Sequence, residues 1–405
     1  MRCSIRWIRQ LGFSVAVLCL LLSVVEIGVR VYETRENQLV LQETGVSQLT
    51  TPATTTYVEL APASTVVVRS GDDDGPITFR TNCYGLRGPE PVVPKPAGLF
   101  RVLVLGDERV LGAELPESAT FCQRLQVSLE QSASTPVEVL NAGVPGFCPL
   151  LSYLQLKLRL LSLEPNLVIL HFDMSDVSDD HRVRRFVKLN DAGLPICATH
   201  PDALLACGRS QPRLIDQFRV SRLSLDFFVS RWSRHVAETD VPDMDSPPGN
   251  CRWAMDAPPD WAPYIQQALE PIVLIRDLTE ESYARFLLTA SPLPWQISAT
   301  ASNTPEARGP AGQLMGTRIS SHHAFEILTD FAEARQITFL DALPRFAAVD
   351  DPDTHWLQTS RGLSGRGHDE YARLLAEYLQ QQMASEWNLP LARIPTESRM
   401  AESIR

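Results

Sequence analysis

From about residue 100 onward, short apolar runs alternate with segments of helical periodicity. Four runs are typical of strands in a parallel sheet: 102–105, 137–140, 167–170 and 337–340. Segments with helical spacing lie between and after them, at 121–130, 150–163, 322–335 and 369–382. This alternation predicts an α/β fold: a doubly wound, flavodoxin-like parallel sheet with helices on both faces, in three layers.

In the middle of the chain, the alternation of strand and helix patterns is less regular. The segment 261–288 predicts two helices, and SPLPWQIS at 291–298 is interpreted as the fourth strand with its turn. Residues 178–260 contain Arg/Asp pairs and DVPDMDSPPGN, which favours helices plus a long insertion. The last twenty residues are polar, and we expect them to be loose.

The N-terminus carries a different apolar pattern. Residues 11–29 are interrupted only by Glu26 and are about long enough to span a bilayer as a helix. Arg2, Arg6 and Arg9 precede them and predict a cytoplasmic N-terminus. A cleaved signal peptide is the alternative, but no convincing small-x-small cleavage site precedes Arg30, so an uncleaved transmembrane anchor is favoured. Both interpretations place the main domain outside the cytoplasm, on the periplasmic face in a bacterium.

Four regions follow from these patterns. Residues 1–35 form the anchor, and 36–98 an extracytoplasmic spacer and lead-in. Residues 99–385 form the α/β domain with its insertion at about 178–260, and 386–405 form a flexible tail.

The net charge and the cysteine spacing limit the kinds of ligand and partner that the chain is expected to bind. The 405 residues carry a formal net charge of −11, which argues against nucleic acid, because phosphate binding requires a basic surface. The eight cysteines show no zinc spacing, and we expect neither a metal nor a cofactor. Cys197 and Cys207 flank a loop and are the favoured disulfide pair, although six cysteines beyond the anchor allow other pairings.

The first candidate reactive residues follow the first predicted strand, in the segment RVLVLGDERVLGAELPESATF. This segment resembles block I of the SGNH (GDSL-type) hydrolases, in which a nucleophilic serine follows Gly-Asp. Here Glu108 occupies the serine position. The upstream residues Asn82, Gly85, Leu86 and Arg87 resemble the N-x-x-G-L-R lead-in of membrane-anchored members.

Two further blocks follow in the family's order. The segment VLNAGVPGF resembles block II, which implies that Gly143 donates its N–H to the oxyanion hole. In VILHFDMSDV, Ser175 stands at the position of the oxyanion-hole asparagine and Asp176 at that of the final aspartate. A serine there would be a shorter donor and a weaker oxyanion contact.

The block that should hold the catalytic base has two possible registers. The ungapped match, SRGLSGRGHDEYARLLAEYL, puts Ser360 at the aspartate position and Gly362 at the histidine position, which removes the base. The other register uses Asp353 and His355, in a segment similar to the Asp-Thr-His-Trp of alginate-acetylation SGNH proteins, and needs an insertion of about seven residues. The ungapped register is favoured, and His368 is interpreted as structural.

Three functions remain open. The favoured hypothesis is a pseudoenzyme that binds an envelope polysaccharide, an acylated ligand or a partner protein. The alternative is an active esterase or O-acyltransferase in which Glu108 activates water and Asp353 and His355 supply the base. A third possibility is a cation site built from Asp107, Glu108, Asp173 and Asp176. A His355 ring within hydrogen-bonding distance of Glu108 would favour catalysis.

Overall fold

The computed structural model describes residues 49–69, 75–133, 135–203, 251–258, 260–309 and 311–385. Apart from 201–203, they belong to one compact unit of the chain, 45–200 with 246–405. The anchor predicted at 11–29, Cys207 and the predicted tail lie outside the described residues. Within these ranges no helix combines the length and the apolar character needed to cross a bilayer.

Eleven strands occur in the described ranges. In chain order they are β1 (Thr50–Pro52), β2 (Val58–Leu60), β3 (Thr65–Arg69), β4 (Pro76–Arg80), β5 (Phe100–Gly106), β6 (Val137–Gly143), β7 (Leu167–Phe172), β8 (Val187–Leu189), β9 (Pro195–Ala198), β10 (Arg285–Ala290) and β11 (Phe339–Asp341). The pairs β1–β2, β3–β4 and β8–β9 are small antiparallel sheets.

Ten α-helical segments, some of them a single turn, accompany them in the same ranges. They are α1 (Glu108–Leu111), α2 (Phe121–Ser132), α3 (Pro149–Gln155), α4 (Asp176–Arg184), α5 (Ala262–Glu281), α6 (Pro294–Ile297), α7 (Pro305–Arg308), α8 (His323–Ala334), α9 (Leu343–Ala347) and α10 (Gly365–Ser385).

The central sheet has the order β11–β10–β7–β5–β6, and every pair in it is parallel. Numbered by sequence, this is the flavodoxin-like order 2-1-3-4-5, so the predicted doubly wound sheet is confirmed. Strands β5 and β7 are buried along their whole length, as their continuous apolar runs require. Helix α2 packs against α10, and α5 packs against α3 and α4.

Two predictions for the middle of the chain are wrong. The segment 261–288 contains one helix, α5, followed by strand β10, and the strand predicted at 291–298 is the helical turn α6. Tyr283 adopts φ 61°, which ends the helix before the strand begins. Pro292 and Pro294 lack N–H donors, so they could not continue a central strand.

The helix predicted at 150–163 is also less regular than its spacing suggests. Its α-helical part ends at Gln155 and continues as a π-turn at Leu156–Leu160 and a 3₁₀ turn at Leu161–Leu163. In the insertion predicted at 178–260, the described residues form the end of α4, the β8–β9 hairpin and a 3₁₀ turn at Arg252–Ala254.

The lead-in motif supports the first turn of the site. Asn82 Oδ1 accepts hydrogen bonds from the N–H groups of Tyr84 and Leu86, both at 3.0 Å, which shapes the turn. Arg87 is buried and donates to the carbonyl of Leu111 at 2.7 Å and to that of Gly112. The motif therefore holds the end of α1, the helical turn that begins at Glu108.

Candidate functional site

A cleft of about 530 Å³ opens at the carboxyl ends of β5 and β7, where open parallel sheets usually bind ligands. Residues from six parts of the chain form its walls. The residues that line it include Asp107, Glu108, Arg109, Glu114, Gly146, Asp173, Ser175, Asp179, Arg182, Glu306, Thr359, Ser360, Arg361, Gly362 and His368.

Glu108, at the position of the nucleophilic serine, is the first residue of α1, and its side chain is 41% exposed. Its Oε1 lies 3.2 Å from Nη2 of Arg361, and its Oε2 accepts the N–H of Gly146 at 3.1 Å. The carboxylate is therefore fixed by an ion pair and a main-chain donor. No histidine takes part in these contacts.

Gly143, predicted as an oxyanion donor, is close to α1 but its N–H is engaged. That N–H donates to the side chain of Asn141 at 3.1 Å. A Cβ at Gly143 would lie 2.8 Å from the carbonyl oxygen of Asp107 and closer still to the nitrogen of Leu111. The glycine is thus required for packing, whatever the chemistry of the cleft.

Ser175, at the asparagine position, lines the cleft but turns its hydroxyl toward Asp173. Both its main-chain N–H, at 2.8 Å, and its Oγ, at 2.7 Å, donate to Asp173 Oδ1. The hydroxyl hydrogen is consequently not directed at a substrate oxygen.

Asp353 and His355 are not brought to Glu108. They lie in a 3₁₀ turn, Pro352–His355, and His355 Nδ1 is 3.0 Å from the carbonyl oxygen of Asp351. Among the described residues, neither lines the cleft, and each belongs to a different hollow. Gly362 does line the cleft, as the ungapped register predicts.

His368 has the structural role expected of it. Its Nδ1 accepts the N–H of Phe121 at 3.0 Å, and the two rings stack with centroids 5.6 Å apart. Burial lowers its pKa to about 3, so the ring is neutral at physiological pH.

Two arginines that the sequence did not single out form the electrostatic centre of the cleft. Arg109 Nε lies 2.8 Å from Asp173 Oδ2, and both side chains are almost completely buried. Arg361 Nη1 lies 3.6 Å from Asp173 Oδ1 and 3.1 Å from the sulfur of Cys251. The only signal in the sequence is the position of each arginine next to an expected reactive residue.

The four acids proposed as a cation site divide into two kinds. Burial, together with neighbouring carboxylates, raises the pKa of both Asp107 and Asp176 well above the usual range. Burial also opposes ionisation of Asp173, but Arg109, Arg361 and the hydrogen bonds from Ser175 outweigh it and hold its pKa well below that range. The charged form is thus disfavoured at Asp107 and Asp176, whereas Asp173 and Glu108 pair with arginines.

The third possibility, a cation site at these four acids, is not supported: in the described part of the chain, no group of three or more His, Cys, Asp or Glu side chains could hold a metal ion. Cys197, favoured as a disulfide partner, is a free thiol, as are the other four cysteines in that part.

Asp179 is the remaining acid with a shifted pKa in the cleft. Its carboxylate lies 2.8 Å from Arg182, and its side chain is 10% exposed. Burial raises its pKa to about 7, and the nearby arginine only partly offsets this. Asp179 therefore changes its charge near neutral pH.

Comparisons with known proteins rest on structure alone, since no protein-family model and no curated protein matches the sequence. The structure is similar to a lipase/acylhydrolase from Enterococcus faecalis (11% identity, 70% of this chain and 96% of that one, TM-score 0.36). It is also similar to a lipolytic protein of the G-D-S-L family from Desulfitobacterium hafniense (12% identity, 68% of this chain and 98% of that one, TM-score 0.32). A third similar structure is a catalytic mutant of an acetylxylan esterase from Geobacillus stearothermophilus (10% identity, 69% of this chain and 93% of that one, TM-score 0.36).

These likenesses concern architecture and carry no activity to the chain. The fold itself rests on the observed strand order and on the cleft at the carboxyl ends of the strands. The chain is similar in fold to the SGNH (GDSL-type) hydrolases.

Proposed function

We propose that this chain is a membrane-anchored, extracytoplasmic, hydrolase-like protein that binds an envelope glycan or a partner through the cleft. In this proposal it lacks the Ser-His-Asp acyl-transfer activity of the hydrolases it resembles. The observation that carries the proposal is the ion pair between Glu108 and Arg361, with Gly146 N–H as a third partner. The anchor and compartment rest on the pattern of residues 1–30.

Each part of an acyl-transfer cycle meets an obstacle in this cleft. A carboxylate at position 108 would form an anhydride that reverts easily, and its charge stands where an oxyanion must develop. The side chain next to it is a guanidinium, which does not lose a proton in proteins and cannot act as a base. Loss of nucleophile and base together leaves no usual triad cycle.

The cleft nevertheless keeps features that suit binding. It is concave, its size is within the range of small-ligand sites, and carboxylates and guanidinium groups converge in it. Such groups form charge-assisted hydrogen bonds with hydroxyl-rich ligands. This combination supports recognition of a polar ligand, such as a glycan.

Hydrolysis assays test the absence of acyl transfer. The full chain in detergent micelles is compared with Glu108→Ala and His355→Ala on 4-nitrophenyl acetate and acetylated oligosaccharides. We expect the three proteins to be equally inactive above buffer. Turnover that disappears in Glu108→Ala or in His355→Ala would contradict the proposal and support the altered esterase instead.

Binding is tested with a pair of neighbouring substitutions. Thr359 lines the cleft, whereas Gln358 lines the adjoining hollow, and both are exposed. Thr359→Trp is expected to weaken binding of solubilised envelope glycan at least about tenfold in calorimetry, and Gln358→Trp to leave it unchanged. Equal affinities for wild type and both variants would remove the cleft as the binding site.

A further inference from the structure

We propose that the cleft recognises a glycan whose amino sugars carry free ammonium groups, and that Arg361 occupies the place of one such group in the unliganded chain. The inference rests on the proposed function, because it names the ligand class of the same cleft. Three independent features point to a cationic ligand.

The first feature is the charge of the lining. Six carboxyl side chains and three arginines line the cleft: Asp107, Glu108, Glu114, Asp173, Asp179 and Glu306, with Arg109, Arg182 and Arg361. Burial raises the pKa of Asp107, and it raises that of Asp179 to about 7. Without these two acids, four carboxylates face three arginines, an excess of one negative charge that grows to two as Asp179 ionises. No lysine, phenylalanine, tyrosine or tryptophan is found among the described lining residues. An excess of one charge sign in a cleft concentrates ligands of the opposite sign.

The second feature is an unpartnered acid in the floor. Asp107 is 1% exposed, and its Oδ1 accepts the N–H of Arg109 at 2.9 Å. Its Oδ2 is buried and has no hydrogen-bond partner in the described part of the chain. A buried polar atom without a partner is costly, and this one belongs to a residue that lines the cleft, so a ligand donor there would satisfy it.

The third feature is a cation that the chain itself supplies. The Arg361 guanidinium enters the cleft between Glu108, at 3.2 Å, and Asp173, at 3.6 Å. Asp173 already has a closer partner in Arg109, at 2.8 Å. Arg361 is therefore the more easily displaced of the two, and its position shows that this part of the cleft accepts N–H donors.

The distribution of acceptors suits a sugar. Carboxylates lie on several walls, including Glu114 and Glu306, and can accept hydrogen bonds from the hydroxyl groups of a sugar.

The proposed exchange is a non-covalent competition. The ammonium group enters between Asp107 and Glu108, and Arg361 swings toward the mouth of the cleft. Burial and the neighbouring carboxylates raise the pKa of Asp107, and an ammonium group beside it would lower that pKa. Because the contact is between charged groups, binding should weaken at high salt.

Calorimetry on the full chain in micelles tests this inference. The probes are a β-1,4-linked glucosamine pentamer and the same pentamer with every nitrogen acetylated, at pH 6.0 and in low and high salt. We expect the free-amine pentamer to bind at least about tenfold more tightly, and this preference to shrink at high salt.

Matched variants locate the site. Asp107→Asn should remove most of the preference for the free amine and keep the helix cap, since asparagine caps as well as aspartate. Asp176→Asn is the control, because Asp176 is equally buried and has a raised pKa but is not among the described residues that line the cleft. Arg361→Gln should tighten binding of the amine several-fold by removing the competing cation.

The outcomes separate the inference from the proposed function. Equal or tighter binding of the acetylated pentamer overturns recognition of the amine and leaves glycan binding intact. A preference that survives Asp107→Asn overturns the assigned place of the ammonium. If neither pentamer binds but envelope glycan binds in a manner sensitive to Thr359→Trp, the inference alone fails. If no glycan binds, the proposed glycan function fails with it.

Discussion

Substitution of Asp173 by asparagine tests the electrostatic centre of the cleft most directly. The Asp173 carboxylate is 2% exposed, and it lies 2.8 Å from Arg109 Nε and 3.6 Å from Arg361 Nη1. It also accepts two hydrogen bonds from Ser175. Asparagine keeps the shape and an acceptor oxygen but removes the charge.

The expected cost follows from the burial of its partner. The Arg109 side chain is only 4% exposed, so Asp173→Asn leaves its charge buried without compensation. Removal of one partner from such a pair costs about 3–5 kcal/mol. Glu108→Gln breaks the other ion pair, but the Glu108 side chain is 41% exposed, and exposed pairs contribute about 0–1 kcal/mol.

Urea unfolding of the full chain in micelles, followed by circular dichroism, measures both effects. We expect a clear drop in the midpoint for Asp173→Asn and almost none for Glu108→Gln, with unchanged slopes. Equal losses in the two variants, or a loss below about 1 kcal/mol for Asp173→Asn, would refute this account of the cleft.

The pH dependence of folding stability tests the role of the Asp173 carboxylate independently. Because the pKa of Asp173 is lowered in the folded chain, its stabilisation is present above its unfolded pKa of about 3.9 and is lost as the pH falls toward the folded value. The stability difference between wild type and Asp173→Asn should therefore shrink on acidification below about pH 4. A difference that grows instead would show that the carboxylate is not held by the arginines.

Three further substitutions test residues around the cleft. Burial raises the pKa of Asp179 to about 7, so the Asp179 side chain favours the folded state at low pH, and this stabilisation is lost as the pH rises through about 7. Asp179→Asn should therefore flatten the decline of the urea midpoint between about pH 4 and 7. Gly143→Ala should cost about 1–3 kcal/mol in thermal unfolding, because its Cβ would meet the main chain at Leu111. Arg87→Met should cost about 3 kcal/mol in urea unfolding, because the carbonyls of Leu111 and Gly112 lose a buried charged donor, and a loss under about 0.5 kcal/mol would contradict that role.

Much of the architecture was predictable from local patterns. The apolar runs at 102–105 and 167–170 are the buried cores of β5 and β7, and the amphipathic spacing at 322–335 and 369–382 became α8 and α10. These signals are reliable because a strand covered on both faces, or a helix on one side, must be apolar at a fixed period.

The fourth strand shows where local patterns fail. The segment RFLLTA is too short for its period to be distinguished from a buried helix, so the local pattern assigns it to the helical segment before it. The same local pattern places the fourth strand at 291–298, which is one segment too late. Only the break at Tyr283 and the pairing of β10 with β7 and β11 identify the true strand.

The sequence by itself determined the fold class and the replacement of serine by Glu108, because strand period and block I are both local features. Only the tertiary structure shows that Gly362 lines the cleft and His355 another hollow, although the two residues are seven positions apart. It also revealed the contact between Glu108 and Arg361, which are 253 residues apart. Parallel strands joined by crossovers bring such distant loops to one edge of the sheet, and no local pattern records which side chains meet there.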